Sequence, residues 1–131
     1  MLPPDKLLRT IYLGDRCCQG FSVDSWARRV LISIDCISRV RSPDGQWHFH
    51  TAEDIEKGIL AFDGVSWFEI SPPGAIPDDY VGHLVIEHVE DGVYSFCFDA
   101  GATQPQVQVM IRIKARELYL VDPRDPEKRI Y

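Results

Sequence analysis

The sequence predicts a single α+β domain that is mainly antiparallel β, arranged as a sandwich or a half-barrel. About eight short segments alternate apolar and polar residues, which is the period of a half-buried strand. Turn residues separate these segments at short intervals, and one or two short segments have helical character. The 131 residues are enough for one core and too few for two ordinary domains, so we expect residues 1–131 to fold as one unit.

The longest strand-like run covers residues 28–41, and we interpret it as one central strand. Five residues on its core side are apolar: Val30, Ile32, Ile34, Cys36 and Val40. The opposite side is mixed and carries Ser33, Asp35, Ile37, Arg39 and Arg41. The turn sequence Ser-Pro-Asp-Gly at 42–45 then predicts a hairpin, with residues 46–50 as the returning strand.

Local patterns predict the elements around this strand. Residues 15–23 predict a strand that pairs antiparallel with the central one, since sequential strands joined by a short link usually pair. Residues 3–13 favour a short helix, although they could also open a strand. A second short helix is expected from Thr51, where a capping pattern precedes Gly58.

The second half of the chain reads as strands, loops and a tail. Residues 59–70 have strand character interrupted at Asp63-Gly64 by a hairpin turn or a bulge, and residues 71–80 form a proline-rich loop. Glu90-Asp91-Gly92 predicts a tight hairpin between two strands. Two more strands are expected at 107–113 and 117–121, and the tail from Asp122 is expected to lie over the surface or fray.

Charge and cysteine content limit the functional class. Aspartate and glutamate outnumber lysine and arginine by 20 to 14, which gives a net charge of −6 and argues against nucleic acid or an anionic membrane as the partner. The N-terminus lacks the pattern of a signal peptide, and no apolar run is long enough to span a membrane. The four cysteines form no CxxC pair. We therefore expect a cytoplasmic protein with reduced, structural thiols and no cofactor.

Five residues are candidates for a binding surface: Trp26, Asp35, Arg39, Arg41 and Tyr80. Trp26 falls in a connection and Tyr80 ends the proline-rich loop, so both aromatic rings could be exposed, as binding surfaces require. Asp35, Arg39 and Arg41 share the mixed face of the central strand. The competing interpretations are that the aromatic rings pack in the core and that Asp35 forms an ion pair with an arginine across the sheet.

A histidine pair gives an alternative. His48 and His50 would face the same side of a strand, where they could bind one divalent transition metal. The spacing His-x-His-x-x-Glu resembles the first motif of the cupin family, although the gap to the glutamate is shorter and no histidine follows Pro-x-Gly at the expected place. The resemblance implies His48, His50, Glu53 and His83 as ligands. In the competing interpretation, the two histidines simply face solvent while Trp47 and Phe49 pack in the core.

Three segments carry a second resemblance: YLGDR at 12–16, ISRVRS at 37–42 with Gly45 and Trp47, and EDIE at 53–56 with Gly58. Together they resemble a family of small uncharacterised bacterial proteins over most of the chain to about Pro77. The resemblance implies a single cytoplasmic domain with no assigned activity. Proteins of this size and charge include many immunity proteins that neutralise toxins, which is an analogy of class.

Two hypotheses follow. The first is a non-catalytic protein-binding module, immunity-like in its action, whose partner is another protein; self-association into a homodimer is left open. The second is a small cupin-like metal-dependent enzyme or sensor that uses the His-x-His pair.

Overall fold

The computed structural model describes residues 2–40 and 52–131, with the main chain alone at residues 40, 52 and 53. These residues form one short helix and twelve strands. In chain order they are α1 (Pro4–Leu8), β1 (Ile11–Tyr12), β2 (Cys18–Asp24), β3 (Arg29–Ile34), β4 (Cys36–Val40), β5 (Ala52–Glu56), β6 (Ile59–Asp63), β7 (Trp67–Ser71), β8 (Val81–Glu90), β9 (Val93–Thr103), β10 (Gln106–Ala115), β11 (Glu117–Asp122) and β12 (Asp125–Ile130).

The strands form three antiparallel sheets. The small sheet has the order β1-β4-β5, the four-stranded sheet β7-β10-β9-β8, and the five-stranded sheet β12-β11-β6-β3-β2. The mainly antiparallel prediction is confirmed, whereas the expected number of about eight strands is too low for the described residues. No helix in the described part of the chain is both long and apolar enough to cross a membrane.

The core lies between the two larger sheets, in a sandwich-like arrangement. Val30, Ile32 and Ile34 are fully buried on β3, as the alternation predicts. Ile111 and Ile113 of β10 are fully buried too. The rings of Phe62 on β6 and Phe96 on β9 meet edge to face with centroids 5.0 Å apart. Leu7 of α1 completes the core, so the helix contributes an apolar side chain to it.

The predicted central strand 28–41 is wrong in one respect, because it breaks at Asp35. Residues before the break pair within the five-stranded sheet, and residues after it pair within the small sheet. The break also shifts the alternation, so Ile37 and Arg39 are buried while Cys36 is half-buried. The period-2 pattern continues through the break in the sequence, and the pattern therefore cannot reveal it.

Three further predictions are corrected. Residues 52–56 form β5 rather than a helix, and Gly58 allows a close approach: a Cβ there would lie 2.8 Å from Ile37 Cδ1. Asp63-Gly64 is neither a hairpin turn nor a bulge, since it carries the chain from the five-stranded to the four-stranded sheet. The tail forms β12, which pairs with β11.

Other local predictions are confirmed. β8 and β9 form the expected hairpin, with Asp91 and Gly92 both at positive φ in the turn. The short helix near the N-terminus is α1, and β2 pairs antiparallel with β3. The predicted hairpin at residues 42–50 lies outside the described residues.

Candidate functional site

Two strand edges lie side by side at one flank of the larger sheets. β2 ends the five-stranded sheet and β7 ends the four-stranded sheet. Phe21 on β2 and Phe68 on β7 bridge them, with ring centroids 6.0 Å apart. Neither strand pairs with a further strand on its outer side in the described part of the chain, apart from the start of β2 at Cys17 and Cys18.

The hydrogen bonding of β3 shows which groups of β2 point outward. The Ile34 N–H donates to the Gly58 carbonyl, so the even-numbered residues of β3 direct their backbone groups towards β6. Because these groups alternate along an antiparallel strand, Leu31 directs its groups towards Ser22 of β2. The neighbouring residues of β2, Phe21 and Val23, therefore direct their N–H and C=O groups away from the sheet.

Large apolar side chains surround this open edge. Phe21 is half-buried, Val23 is 47% exposed and Trp67, at the start of β7, is 55% exposed. Val23 and Trp67 line the same cavity of about 110 Å³. Trp26, in the turn between β2 and β3, is 98% exposed. We refer to Phe21, Val23, Trp26, Trp67 and Phe68 as the edge surface.

The turn that carries Trp26 is constrained at both ends. The Ala27 N–H donates to the Asp24 carboxylate at 2.9 Å. Arg28 takes a positive φ of 55°, and its carbonyl accepts from the Val65 N–H at 2.9 Å. The exposed indole therefore projects from a turn whose backbone is fixed.

Tyr80 lies at the other end of β2. It forms an isolated antiparallel bridge with Cys17, and the Cys18 N–H donates to the Asp79 carbonyl. Its ring is 62% exposed. A seven-residue strand spans about 24 Å, so Trp26 and Tyr80 mark the two ends of the open edge. Both rings are exposed, which is one of the two alternatives that the sequence left open, while their role in binding stays a prediction.

The Tyr80 end of the edge is acidic. Burial raises the pKa of the Cys17 thiol, and the carboxylates of Asp35 and Asp79 raise it further. Burial also raises the pKa of Cys18, with a smaller contribution from Asp78. The two thiols therefore sit in a negative field at the point where β2 begins.

Asp35 has a different role from the expected ion pair. One oxygen of its carboxylate accepts the Cys17 N–H at 3.0 Å and the Cys36 N–H at 2.8 Å. Asp35 therefore stabilises the backbone where the chain leaves the five-stranded sheet for the small sheet, which is a structural use of the carboxylate.

Arg39 is buried, although the sequence placed it on an open mixed face. Only 2% of the residue is exposed. Its Nε donates to Thr10 Oγ1 at 3.2 Å, and Nη2 donates to the main-chain oxygen of Tyr131. The guanidinium thus joins the small sheet to the segment after α1 and to the end of β12. The shift of alternation at Asp35 is what turns this side chain inward.

The small sheet has a second polar network. Arg16 Nη2 donates to Ser38 Oγ, and Ser38 Oγ donates to Asp54 Oδ1 at 2.7 Å. Ser38 is buried, so this network fixes the strands rather than presenting a reactive hydroxyl. Burial also raises the pKa of Cys36 and Cys97, and all four cysteines are free. The thiols are therefore protonated near neutral pH and poorly nucleophilic.

The residues of the metal alternative are only partly described. Arg41, His48 and His50 lie outside the described residues, and Glu53 is described by its main chain alone. His83 is exposed on β8, with its Nδ1 3.2 Å from Asp99 Oδ1. The described residues contain no group of three or more histidine, cysteine, aspartate or glutamate side chains that could hold a metal ion.

Sequence reasoning missed Phe21, Val23, Trp67 and Phe68 as surface residues. Their alternation is that of ordinary core strands, and only the strand order shows that they lie at an edge. Trp67 directly follows residues 64–66, where the chain crosses from the five-stranded to the four-stranded sheet. In the sequence, the signal for this crossing is the turn-forming pair Asp63-Gly64.

Comparison with known proteins gives one match. A family of unknown function (DUF6258) matches residues 1–131. No curated protein and no solved structure matches the chain.

Proposed function

Since the chain belongs to the family of unknown function DUF6258, we propose from the geometry that it is a non-catalytic protein-binding domain that docks its partner on the edge surface. The observation that carries this proposal is the 98% exposure of Trp26 on a turn held by backbone hydrogen bonds. A large exposed aromatic ring on a constrained turn is the kind of anchor that enters a partner's pocket, and the backbone of the turn needs little further ordering when it binds.

The surroundings of Trp26 support a docking role. Val23 and Trp67 add exposed apolar area beside the turn, and the charged side chains of Asp24 and Arg28 line its rim. Aromatic residues at the centre with charged residues around them are the usual composition of an interface. The net charge of −6 favours a basic partner, because it steers such a partner towards the complex.

The finer proposal is an immunity-like role, in which this small acidic domain occludes a basic partner protein in the cytoplasm of a bacterium. Its support is the charge, the exposed aromatic anchor and the four free thiols, which suit a reducing compartment.

The test places a photoreactive amino acid at position 26 in living cells of the source organism. We expect it to cross-link one discrete protein of basic character. The matched control is the same amino acid at Val89, an exposed apolar residue that lies on β8, at the opposite edge of the four-stranded sheet.

The captured protein is then purified, and its affinity for the wild type, Trp26→Ala and Val89→Ala is measured by calorimetry. Trp26→Ala should weaken binding at least tenfold, while Val89→Ala should change it less than threefold, as expected for a hot spot and a peripheral residue. Equal cross-linking from both positions, or equal affinities of both variants, would remove the proposal.

A further inference from the structure

We propose that the partner contributes an extended, basic segment that pairs with the open edge of β2 as an additional strand of the five-stranded sheet. This inference rests on the proposed docking function, and it specifies how the partner binds and what its binding segment looks like.

The backbone of β2 provides the pairing groups. Phe21 and Val23 each direct one N–H and one C=O away from β3, as the pairing of Leu31 with Ser22 requires. Two residues in alternate positions present the donors and acceptors that an added strand needs.

The side chains show what the added strand would cover. Phe21 and Val23 pair with the fully buried Ile32 and Val30, so they face the core side of the sheet. Val23 is nevertheless 47% exposed, because no strand lies beyond β2 at this point. A neighbouring strand, about 4.8 Å away, would place its own alternate side chains over Val23 and towards Trp67 of β7. Those side chains should be apolar.

The charge of the segment follows from the Tyr80 end of the edge. Asp78 and Asp79 flank the start of β2, and after burial their negative charges contribute to the raised pKa of the adjacent thiols. Asp15 is exposed in the preceding turn. Lysine or arginine at the outward positions of the segment would complement these carboxylates and the net charge of −6.

A second copy of the chain fits this edge less well. Antiparallel pairing of two β2 strands with Phe21 opposite Val23 would bring Trp26 of one copy opposite Cys18 of the other. The outer side of Cys18 is already occupied, since its N–H donates to Asp79. A foreign basic segment avoids this conflict.

The experiment uses the whole protein and a phage-displayed library of linear random peptides as the probe. We expect the selected peptides to alternate apolar residues with lysine or arginine. A resynthesised peptide should lose at least tenfold in affinity when its backbone is N-methylated at every second residue, and less than threefold when the other residues are methylated. This alternation distinguishes strand pairing from docking by side chains alone.

The protein variants test the same contact from the other side. Val23→Pro removes an N–H that points away from β3, so it should leave the sheet folded and reduce peptide affinity at least tenfold. Val23→Thr keeps the N–H and a similar shape, and it should bind within threefold of the wild type. In the wild type, hydrogen exchange at the Phe21 and Val23 amides should slow when the peptide binds. This measurement does not use Val23→Pro, so it tests strand pairing even if that variant fails to fold.

Several outcomes would overturn strand addition. One is a library that yields no binding peptides, and another is a selected peptide whose affinity is insensitive to N-methylation at all positions. A third is a complex in which the Phe21 and Val23 amides stay unprotected. The last is a dimer of the wild type in light scattering that dissociates in Val23→Pro. If the partner cross-linked from position 26 binds Val23→Pro as well as wild type, the docking function stands and strand addition falls. If position 26 captures no partner, the docking function itself falls.

Discussion

Replacing Arg39 by methionine should destabilise the protein strongly. Arg39 is 2% exposed, and its guanidinium donates to Thr10 Oγ1 and to the main-chain oxygen of Tyr131. The substitution keeps an unbranched apolar stem but removes this guanidinium. Both acceptors lose a charged donor inside the protein.

The size of the effect follows from these contacts. A hydrogen bond from a charged group contributes about 1.5–3 kcal/mol, and Arg39 donates one to Thr10 and one to Tyr131. We therefore expect Arg39→Met to lose about 3–5 kcal/mol of unfolding free energy. For a chain of this size that loss lowers Tm by roughly 10–20 °C.

Urea denaturation followed by tryptophan fluorescence and circular dichroism measures this loss. The matched control is Arg112→Met, which removes an equally long side chain whose Nε lies 3.3 Å from Glu87 Oε1 at the surface, where both residues are well exposed. The control should lose less than about 1 kcal/mol, as exposed ion pairs do. Should Arg39→Met fail to fold, Arg39→Lys keeps the charge without the planar fork, and it should lose about 1–3 kcal/mol. Losses no larger than that of the control in both Arg39 variants would refute the structural role of this guanidinium.

The remaining predictions concern Asp35 and the buried thiols. Asp35→Ala should lose about 1–3 kcal/mol in urea denaturation, because two backbone amides lose a carboxylate acceptor; a loss below about 0.5 kcal/mol would contradict this reading. Cys18 and Cys97 should react with iodoacetamide at pH 8 only on unfolding, as mass spectrometry can follow, and rapid reaction in the native protein would disprove their burial. Burial raises the pKa of the Cys18 thiol in the folded protein. The stability that the protonated thiol contributes is complete below its pKa of about 8.5 in the unfolded chain, and it is lost as the pH rises through the folded-state pKa. The urea midpoint should therefore fall from pH 8 to pH 10, and Cys18→Ala should show a smaller fall.

Features that depend on local chemistry could be predicted from the sequence. The β8–β9 hairpin follows from Asp91 and Gly92, which accept positive φ in the turn. The buried face of β10 follows from strict alternation up to Ile113.

Features that depend on strand order could not be predicted in this way. β12 contains almost only exposed polar residues, and it forms because it pairs with β11 and because Arg129 forms ion pairs with Asp63 and Glu117. β5 carries a helix-like capping pattern that pairing with β4 overrides. The edge surface combines residues of β2 and β7, which are distant in sequence and meet only in the folded sheets. No local pattern contains that contact.

The break at Asp35 has a consequence for how the chain can be divided. The small sheet takes β1, β4 and β5, while the five-stranded sheet takes β2, β3 and β6 from the same stretch of sequence. Their strands are interleaved, so any cut between Asp24 and Ala52 would leave each fragment with part of both sheets. We therefore expect fragments produced by such a cut to remain unfolded when expressed alone and to regain structure only on mixing. The four strands of the remaining sheet, residues 67–115, are contiguous, which makes them the part of the chain best suited to form early in folding.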